Sequence, residues 1–359
     1  MKIVVTVNSL TKGSGLSKYV YNLCSMLSYV DDEIHIITTH AEQPDFELVA
    51  FKKFSNIKVH QLHNHSKCGK YLYLALLLRK LNADLVIINY HAPTHFVLPL
   101  CKKHSKVVHI IHGDIPDFYR IAAINASYID GWVTPTPGVK DKFNHYTQNR
   151  YQERVTSIPH GVESPEKYNV ISNRANNLEL IFVGVIDEHK GVFTLPAVLE
   201  TLHKRGFDFH LTMIGKKVKE DKVNRAFQSA VDCGLVSFTG VISPNEVYQC
   251  MANAHIFLYP TQIDSFGLVI AEAMMNGAVP VASHLKGITD ALVDEGVNGY
   301  LIEDPKDADA FATRIEELAK DRALLARMSV EAKKKAESAF SLQSFHDNYE
   351  LYFKIIMSK

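Results

Sequence analysis

The sequence has no excess of charge of either sign. Its 359 residues contain 39 Lys and Arg and 39 Asp and Glu, which argues against the concentrated basic footprint of a nucleic-acid-binding protein. The balance hides a small asymmetry, because residues 1–165 hold 18 basic against 13 acidic side chains and the remainder holds 21 against 26. The first half is therefore the better candidate for contact with an anionic partner.

Paired cysteines and long apolar segments are lacking as well. The five cysteines are odd in number and form no CxxC pair, which argues against a disulfide framework and against a zinc site. The longest apolar run, residues 71–78, is far shorter than the ~20 residues that cross a bilayer. The N-terminal MKIVVTVNSL lacks the apolar region of a signal peptide. We expect a reduced, cytoplasmic chain.

Strand-like and helix-like segments alternate along the chain, which predicts parallel sheets wrapped by helices. The predicted strands are 2–7, 34–38, 85–89, 107–111, 131–134, 180–185, 209–214, 236–238, 256–259 and 279–282. A polar stretch from Ile158 to Asn177 is typical of a linker. We predict an α/β chain with Rossmann-like domains at 1–165 and 166–338, an amphipathic C-terminal helix within 339–359 that returns to the first domain, and an active site in the cleft between the domains.

The segment IDSFGLVIAEAMMNGAVPVAS carries the strongest chemical signal. A loop ending at Asp264 leads into an apolar helix whose one ionisable side chain is Glu272. An ionised carboxylate in such a helix is costly unless hydrogen bonds compensate it. Glu272 either points to solvent or accepts hydrogen bonds from ligand hydroxyls. In the second case, unpaired amides of residues 266–269 and the helix dipole would hold a phosphate.

This segment resembles the signature of retaining glycosyltransferases of family 4 (group 1), which have the GT-B fold. Phe266-Gly267-Leu268-Val269 and Glu272-Ala273-Met274 match the signature, and the blocks FVGVIDEHKGVF, LTMIGKK, VSFTGVISPNEVYQCMANAHIFLYPT and GITDALVDEGVNGYLI are similar to its neighbours in order and spacing. In the first half, Gly13-Ser14-Gly15 resembles the Gly-rich loop of the family, although an ordinary strand-to-helix turn is the alternative. VVHIIHGD and IPHGVE are further similar segments.

The resemblance implies a role for each matching residue. Glu272 would bind the ribose of a nucleotide sugar, Asp264 the donor sugar, Lys190 the diphosphate and His112 the transferred sugar. Further contacts to the substrates would come from Gly13, Gly15, Gly184, Val241, Ser265, Phe266, Gly267, Leu268 and Val269. A lysine and helix amides would stabilise the leaving group in place of a metal, so no cofactor is expected besides the donor. Asp307 and Asp309 begin a helix, where acidic residues are favoured without any metal.

Two departures from the family pattern stand out. The family arginine that accompanies Lys190 falls on Val185, which removes a contact worth ~1.5–3 kcal/mol, and Lys12, Lys216 or Lys217 are alternative sources of that charge. Asp264 replaces a glutamate, which sets its carboxylate back by about 1.5 Å. The resemblance implies transfer of a sugar, from a UDP- rather than a GDP-sugar, during synthesis of a surface polysaccharide or glycoconjugate of bacterial type. The alternatives are a catalytically impaired partner subunit and, less favoured, a nucleotide-sugar epimerase.

The acceptor side carries a second open question. Basic residues flank the apolar run 71–78 at Lys67, Lys70, Arg79 and Lys80, as in helices that lie on anionic membranes. Such contact at the inner face of a membrane would suit a lipid-linked rather than a free saccharide acceptor. In the simpler interpretation, the leucines of this helix only cover the strand 85–89.

Overall fold

The computed structural model describes residues 1–11, 15–28, 32–40, 51–62, 66–101, 104–164 and 177–358, except for the side chains of Lys67 and Cys68. These residues divide into two compact units. The first unit combines Met1–Gly161 with Gln343–Lys359, and the second is Val162–Leu342. The two ends of the chain therefore belong to the same unit.

The first unit is built on a parallel sheet of seven strands, in the order β3-β2-β1-β4-β5-β6-β7. The strands are β1 (Lys2–Val7), β2 (Glu33–Thr38), β3 (Ile57–Gln61), β4 (Leu85–Asn89), β5 (Lys106–Ile110), β6 (Gly131–Thr134) and β7 (Val155–Ser157). The helices that the structure describes in this unit are α1 (Gly15–Ser28), α2 (Lys67–Leu81), α3 (Ala92–Cys101), α4 (Pro116–Ala122), α5 (Pro137–Tyr146) and α12 (Leu342–Ser358). The strand order reverses between β1 and β4, where open α/β sheets bind ligands at the carboxyl ends of their strands.

Apolar side chains cover both faces of this sheet. On one face, Val5 and Ile87 pack with α1 and with Tyr349 and Phe353 of α12. On the other face, Leu74 of α2 packs with neighbours that include Val97 of α3 and Trp132 of β6. The C-terminal helix is therefore an integral layer of the first unit, as its amphipathic pattern requires.

The second unit repeats the architecture with six parallel strands, in the order β10-β9-β8-β11-β12-β13. The strands are β8 (Leu178–Val183), β9 (Phe209–Ile214), β10 (Val236–Gly240), β11 (Ile256–Tyr259), β12 (Val279–Ser283) and β13 (Tyr300–Ile302). The helices are α6 (Leu195–Lys204), α7 (Glu220–Asp232), α8 (Pro244–Asn253), α9 (Leu268–Met275), α10 (Ala308–Lys320) and α11 (Arg322–Ala339). The order reverses between β8 and β11, so the loops after these two strands lie at the expected ligand-binding edge.

The structure also describes most of the cysteines and the lengths of the helices. Cys24, Cys101, Cys233 and Cys250 are free thiols. Within the described parts of the chain, every helix is too short or too polar to cross a membrane.

Candidate functional site in the loops after β8 and β11

Lys190, Tyr259 and Asp264 form a hydrogen-bonded cluster at the carboxyl edge of the second sheet. The Lys190 Nζ donates to the Tyr259 hydroxyl at 2.8 Å and to Asp264 Oδ2 at 2.9 Å. The Tyr259 hydroxyl also donates to Asp264 Oδ2. The loop after β8 and the loop after β11 thus bring two sequence-predicted residues, Lys190 and Asp264, into direct contact.

The other oxygen of Asp264 holds the approach to α9. Asp264 Oδ1 accepts hydrogen bonds from the amides of Ser265 at 2.7 Å, Phe266 at 3.2 Å and Gly267 at 3.1 Å. The expectation that the amides of 266 and 267 are unpaired is therefore wrong, because the carboxylate binds them. The helix begins only at Leu268.

The first turn of α9 still offers amides to a ligand. A helix has no carbonyl partner for its first amides, and here these belong to Leu268 and Val269. Both residues are partly exposed, whereas Phe266 is buried. Of the four residues predicted to bind phosphate through their amides, Leu268 and Val269 remain suited to it.

The charges in this cluster favour an ionised Asp264. Burial raises the pKa of its carboxyl group, but the Lys190 ammonium, the Tyr259 hydroxyl and the backbone amides outweigh burial and hold that pKa below its ordinary value. Burial and the negative charge of Asp264 raise the pKa of Tyr259 well above its ordinary value. The cluster therefore contains a neutral phenol that is hydrogen-bonded to an ammonium and to a carboxylate, which also pair directly with each other.

Glu272 lies inside the second unit rather than on a solvated helix face. Its side chain is 9% exposed, and its Oε1 accepts a hydrogen bond from the Tyr248 hydroxyl of α8 at 3.3 Å. The solvent-facing interpretation of Glu272 is therefore wrong. The carboxylate is buried and hydrogen-bonded, as the cost of burying an unsatisfied polar group requires.

Gly191 lets the loop of Lys190 approach β11. Its φ is +67°, and a Cβ at this position would lie 1.7 Å from the Pro260 carbonyl oxygen. The Gln262 amide donates to the His189 carbonyl at 3.0 Å across the same contact. Only glycine fits here. Gly191 therefore permits the contact that places the neighbouring Lys190.

The loops after β8 and β9 run side by side beyond the strand ends. Val183 is paired with Ile214 and Ile186 with Lys217, which sets Val185 beside Lys216. Gly184 and Gly215 approach so closely that a Cβ on Gly215 would lie 1.9 Å from the Gly184 carbonyl oxygen. Val185 is 49% exposed at the position of the family arginine.

Of the two described lysines that could replace that arginine, Lys216 is the better placed. Lys217 is engaged elsewhere, since its Nζ donates to Asn224 Oδ1 at 2.6 Å and lies 3.8 Å from the ring centroid of Phe238. Lys216 is exposed next to Val185. Lys12 lies outside the described residues. Val241, the predicted border of the nucleotide base, follows β10 and is 78% exposed.

His112 belongs to the first unit, just beyond β5. Its Nε2 is 2.9 Å from Asn89 Oδ1 at the end of β4. The ring of Tyr19 packs edge-on against His112 at 4.6 Å, and the Tyr19 hydroxyl is hydrogen-bonded to Tyr349 of α12. Burial and then the nearby His160 lower the pKa of His112 well below its ordinary value. The imidazole is therefore neutral and held in a fixed orientation at the binding edge.

Only one glycine of the predicted Gly-rich loop, Gly15, lies within the described residues. Gly13 lies outside the described residues, and Gly15 is the first residue of α1. Within the described part of the chain, a Cβ on Gly15 would meet nothing within 4 Å, so no close contact with those residues requires a glycine there. Asp307 accepts a hydrogen bond from the Ala310 amide at 2.9 Å and caps α10, and Asp309 pairs with Arg205 at 3.6 Å, as the helix-start interpretation predicts.

Four residues around Lys190, Glu272 and His112 were not predicted from the sequence: Tyr248, Tyr259, Tyr19 and Asn89. Tyr259 and Asn89 carry a usable signal, because each is a polar residue at the end of a buried strand beside the switch in strand order. Tyr19 and Tyr248 lie on helices among apolar neighbours, and their sequence context does not separate them from ordinary core residues.

Two family models match consecutive stretches of the chain. "Glycosyltransferase Family 4" matches residues 13–164, and "Glycosyl transferases group 1" matches residues 164–335. The capsular polysaccharide biosynthesis glycosyltransferase CapM of Staphylococcus aureus is 25% identical over 54% of this chain and 50% of its own. The sulfoquinovosyl transferase SQD2 of Arabidopsis thaliana is 24% identical over 86% of this chain and 64% of its own. The chain thus spans half to about two thirds of the length of these relatives.

Solved structures share the fold over nearly the whole chain. Anabaena HepE in complex with UDP superposes with a TM-score of 0.82 at 16% identity, over 99% of this chain and 100% of that one. HepE in complex with UDP and glucose gives a TM-score of 0.78 at 17% identity, over 99% of both chains. The two parallel sheets of six and seven strands are thus those of the GT-B fold. With both family models matched in order, the chain belongs to the group 1 glycosyltransferases.

Proposed function

We propose that this protein is a retaining glycosyltransferase that moves a sugar from a nucleoside diphosphate sugar, UDP-linked rather than GDP-linked, to a saccharide or lipid-linked acceptor. The observation that carries this proposal is the fixed position of Lys190, bonded to Tyr259 and Asp264 beside the first turn of α9. The relatives support it by name: CapM is described for capsular polysaccharide biosynthesis, and HepE was solved with UDP. We place the reaction in the cytoplasm, in polysaccharide or glycoconjugate synthesis.

The chemistry requires stabilisation of a leaving diphosphate. Negative charge grows on the phosphate oxygens as the bond from the anomeric carbon breaks. A lysine ammonium and preorganised helix amides stabilise such charge directly. Lys190 and the amides of Leu268 and Val269 are assigned this task. We expect the reaction to need no metal ion.

The remaining residues hold the donor in place. The buried Glu272 accepts hydrogen bonds from the ribose hydroxyls, with Tyr248 orienting its carboxylate. Gly184 and Val241 border the nucleotide. Both oxygens of Asp264 are occupied by protein donors, so we assign it first to positioning Lys190 and α9, and its contact with the donor sugar stays a prediction.

The configuration at the anomeric carbon is retained because the acceptor attacks the same face of the sugar from which the leaving group departs. The acceptor oxygen bonds to the anomeric carbon, and its proton passes to the leaving phosphate oxygen, so the protein needs no nucleophile of its own. The neutral His112, held by Asn89, is suited to hydrogen-bond the transferred sugar. No pair of carboxylates with glycosidase spacing is required.

One observation favours a second candidate. Val185 stands where the family has arginine, and without a replacement charge the chain would bind nucleotide with little turnover, as a catalytically impaired partner subunit. This alternative predicts binding of UDP without release of sugar.

The test is turnover of a panel of UDP- and GDP-sugars, with the product anomer read by NMR. We expect release of UDP with retention of configuration, unchanged by EDTA. Lys190→Ala and Glu272→Gln should each lower kcat/KM at least about tenfold, while Lys204→Ala, an exposed lysine of α6, stays within about twofold. If the protein binds UDP but turns over neither UDP-sugars nor GDP-sugars, the catalytically impaired subunit is favoured. Absence of binding as well would refute the proposal.

A further inference from the structure

The helices α2 and α3 of the first unit expose large apolar side chains toward solvent. Leu72 is 65% exposed, Leu76 55%, Phe96 52% and Leu100 65%. Leu72 and Leu76 are one helical turn apart, as are Phe96 and Leu100. Tyr71 joins the two helices, since its ring lies 6.1 Å from that of Phe96. We call these five residues the outward face.

The outward face is separate from the core. The opposite side of α2 buries Leu74, Leu77 and Leu78 against the first sheet, so the simpler interpretation of the helix holds for that side. It leaves the exposed leucines unexplained. A helix that is apolar on both sides has a second apolar environment to meet.

The segment that carries this face is predominantly basic. Residues 67–106 contain seven Lys and Arg and a single acidic residue, Asp84, and neither α2 nor α3 has an Asp or Glu. Arg79 and Lys80 are exposed one turn after Leu76, on the same side of α2. Apolar and aromatic side chains bordered by basic ones fit the boundary between the headgroups and acyl chains of an anionic bilayer.

The position of α2 connects this face with the candidate acceptor side. The Lys70 Nζ donates to the Thr39 carbonyl just after β2 at 2.9 Å. The first turns of α2 therefore lie at the carboxyl edge of the first sheet, the edge that also carries Asn89 and His112. A bilayer touching the outward face would border this edge.

We propose that the outward face docks the protein on an anionic lipid bilayer, with α2 and α3 lying in the plane of the interface. The acceptor is then a saccharide on a lipid, presented at that surface; this last step rests on the proposed function, whereas the docking does not. A second copy of the chain is a poorer occupant, because a two-fold interface through this face would bring the basic residues of both copies together.

The test is co-sedimentation of the full chain with vesicles of phosphatidylcholine alone or with phosphatidylglycerol. We expect binding that requires phosphatidylglycerol and weakens at high salt. Leu72→Ser with Leu76→Ser should lower the partition coefficient at least about tenfold. Arg79→Glu with Lys80→Glu should lower it at least about fivefold for each residue.

Matched controls come from exposed residues elsewhere in the chain. Val330→Ser with Leu351→Ser, and Lys204→Glu with Lys334→Glu, should leave the partition coefficient within about twofold. UDP binding by the leucine variants, measured in parallel, shows that they are folded and separates failure of docking from failure of the proposed function. The docking proposal is overturned if the unmodified protein ignores anionic vesicles, if both sets of variants bind alike, or if the outward face instead drives a concentration-dependent dimer that the leucine variants abolish.

Discussion

Among single residues, Asp264 and Val185 are the two departures that stand out against the family pattern expected from the sequence. The shorter Asp264 lies against the start of α9, where one oxygen holds three amides and the other holds Lys190 and Tyr259. The Asp264 carboxylate therefore ties the lysine to the start of the helix. Val185 lacks the positive charge of the expected arginine. The loops after β8 and β9 run side by side, which places Lys216 next to Val185.

The residue-scale prediction concerns this replacement. Lys216→Ala should weaken UDP binding about tenfold, the effect of one charge-assisted contact, as measured by titration calorimetry. Lys217→Ala is the matched control and should change the affinity for UDP less than about twofold, because Lys217 already contacts Asn224 and Phe238. Adding Val185→Arg to Lys216→Ala should restore affinity. Equal effects of the two lysines would show that neither replaces the arginine.

At the scale of elements, sequence patterns located the central strands well and the edges of the sheets poorly. Strands β4 and β11 begin and end where predicted, because their nearly continuous apolar runs mark strands buried on both faces. Strands β1, β6 and β9 match their predicted bounds as well. Strands β3, β7 and β13 were missed. They lie at sheet edges, where a strand is short or half solvated and carries polar residues such as Lys58 and His60.

The candidate site shows the same limit. Motif resemblance identified Lys190, Asp264 and Glu272, but it could not show that Asp264 binds the amides of Phe266 and Gly267. That hydrogen bonding depends on the path of the loop after β11, and a motif match does not describe that path. Tyr248 was missed for a related reason, since its contact with Glu272 joins two helices.

The element-scale prediction concerns the turn after Lys190. Gly191→Ala adds a Cβ 1.7 Å from the Pro260 carbonyl oxygen at a φ of +67°. We expect a loss of about 3 kcal/mol or more in the free energy of unfolding, from backbone strain and overpacking together. Gly206→Ala is the control, with a φ of +76° and no described atom within 4 Å of the added Cβ, and should cost about 1–2 kcal/mol, the strain of the left-handed backbone alone. Urea unfolding followed by circular dichroism would decide, and equal losses would contradict the importance of this contact.

At the scale of the whole molecule, the first unit buries several neutral histidines. Burial lowers the pKa of His91 to about 3 and that of His95 to about 4, and it lowers those of His109 and His112 well below the ordinary value. The His95 and His109 rings are hydrogen-bonded at 2.8 Å. Because the folded-state pKa values lie below the unfolded value of ~6.5, the unfolded chain binds more protons as the pH falls.

The molecule-scale prediction is acid sensitivity of this unit. Its stability should be full above about pH 6.5 and fall below it, by up to about 1.4 kcal/mol per pH unit for each such histidine. The single tryptophan, Trp132, is buried in this unit, so its fluorescence reports unfolding of the unit in urea. We expect a loss of at least about 2 kcal/mol between pH 7.5 and 5.5, a window above the titration of ordinary carboxyl groups. A flat profile would contradict the neutral, buried state of these histidines.

We propose above that Lys190, held by Asp264 and Tyr259 beside the first turn of α9, binds the diphosphate of a nucleotide sugar. Calorimetric titration of UDP into the unmodified protein, Lys190→Ala and Lys204→Ala tests it most directly. We expect UDP binding that is at least about tenfold weaker in Lys190→Ala and unchanged in Lys204→Ala. Equal UDP affinity in all three proteins would contradict it.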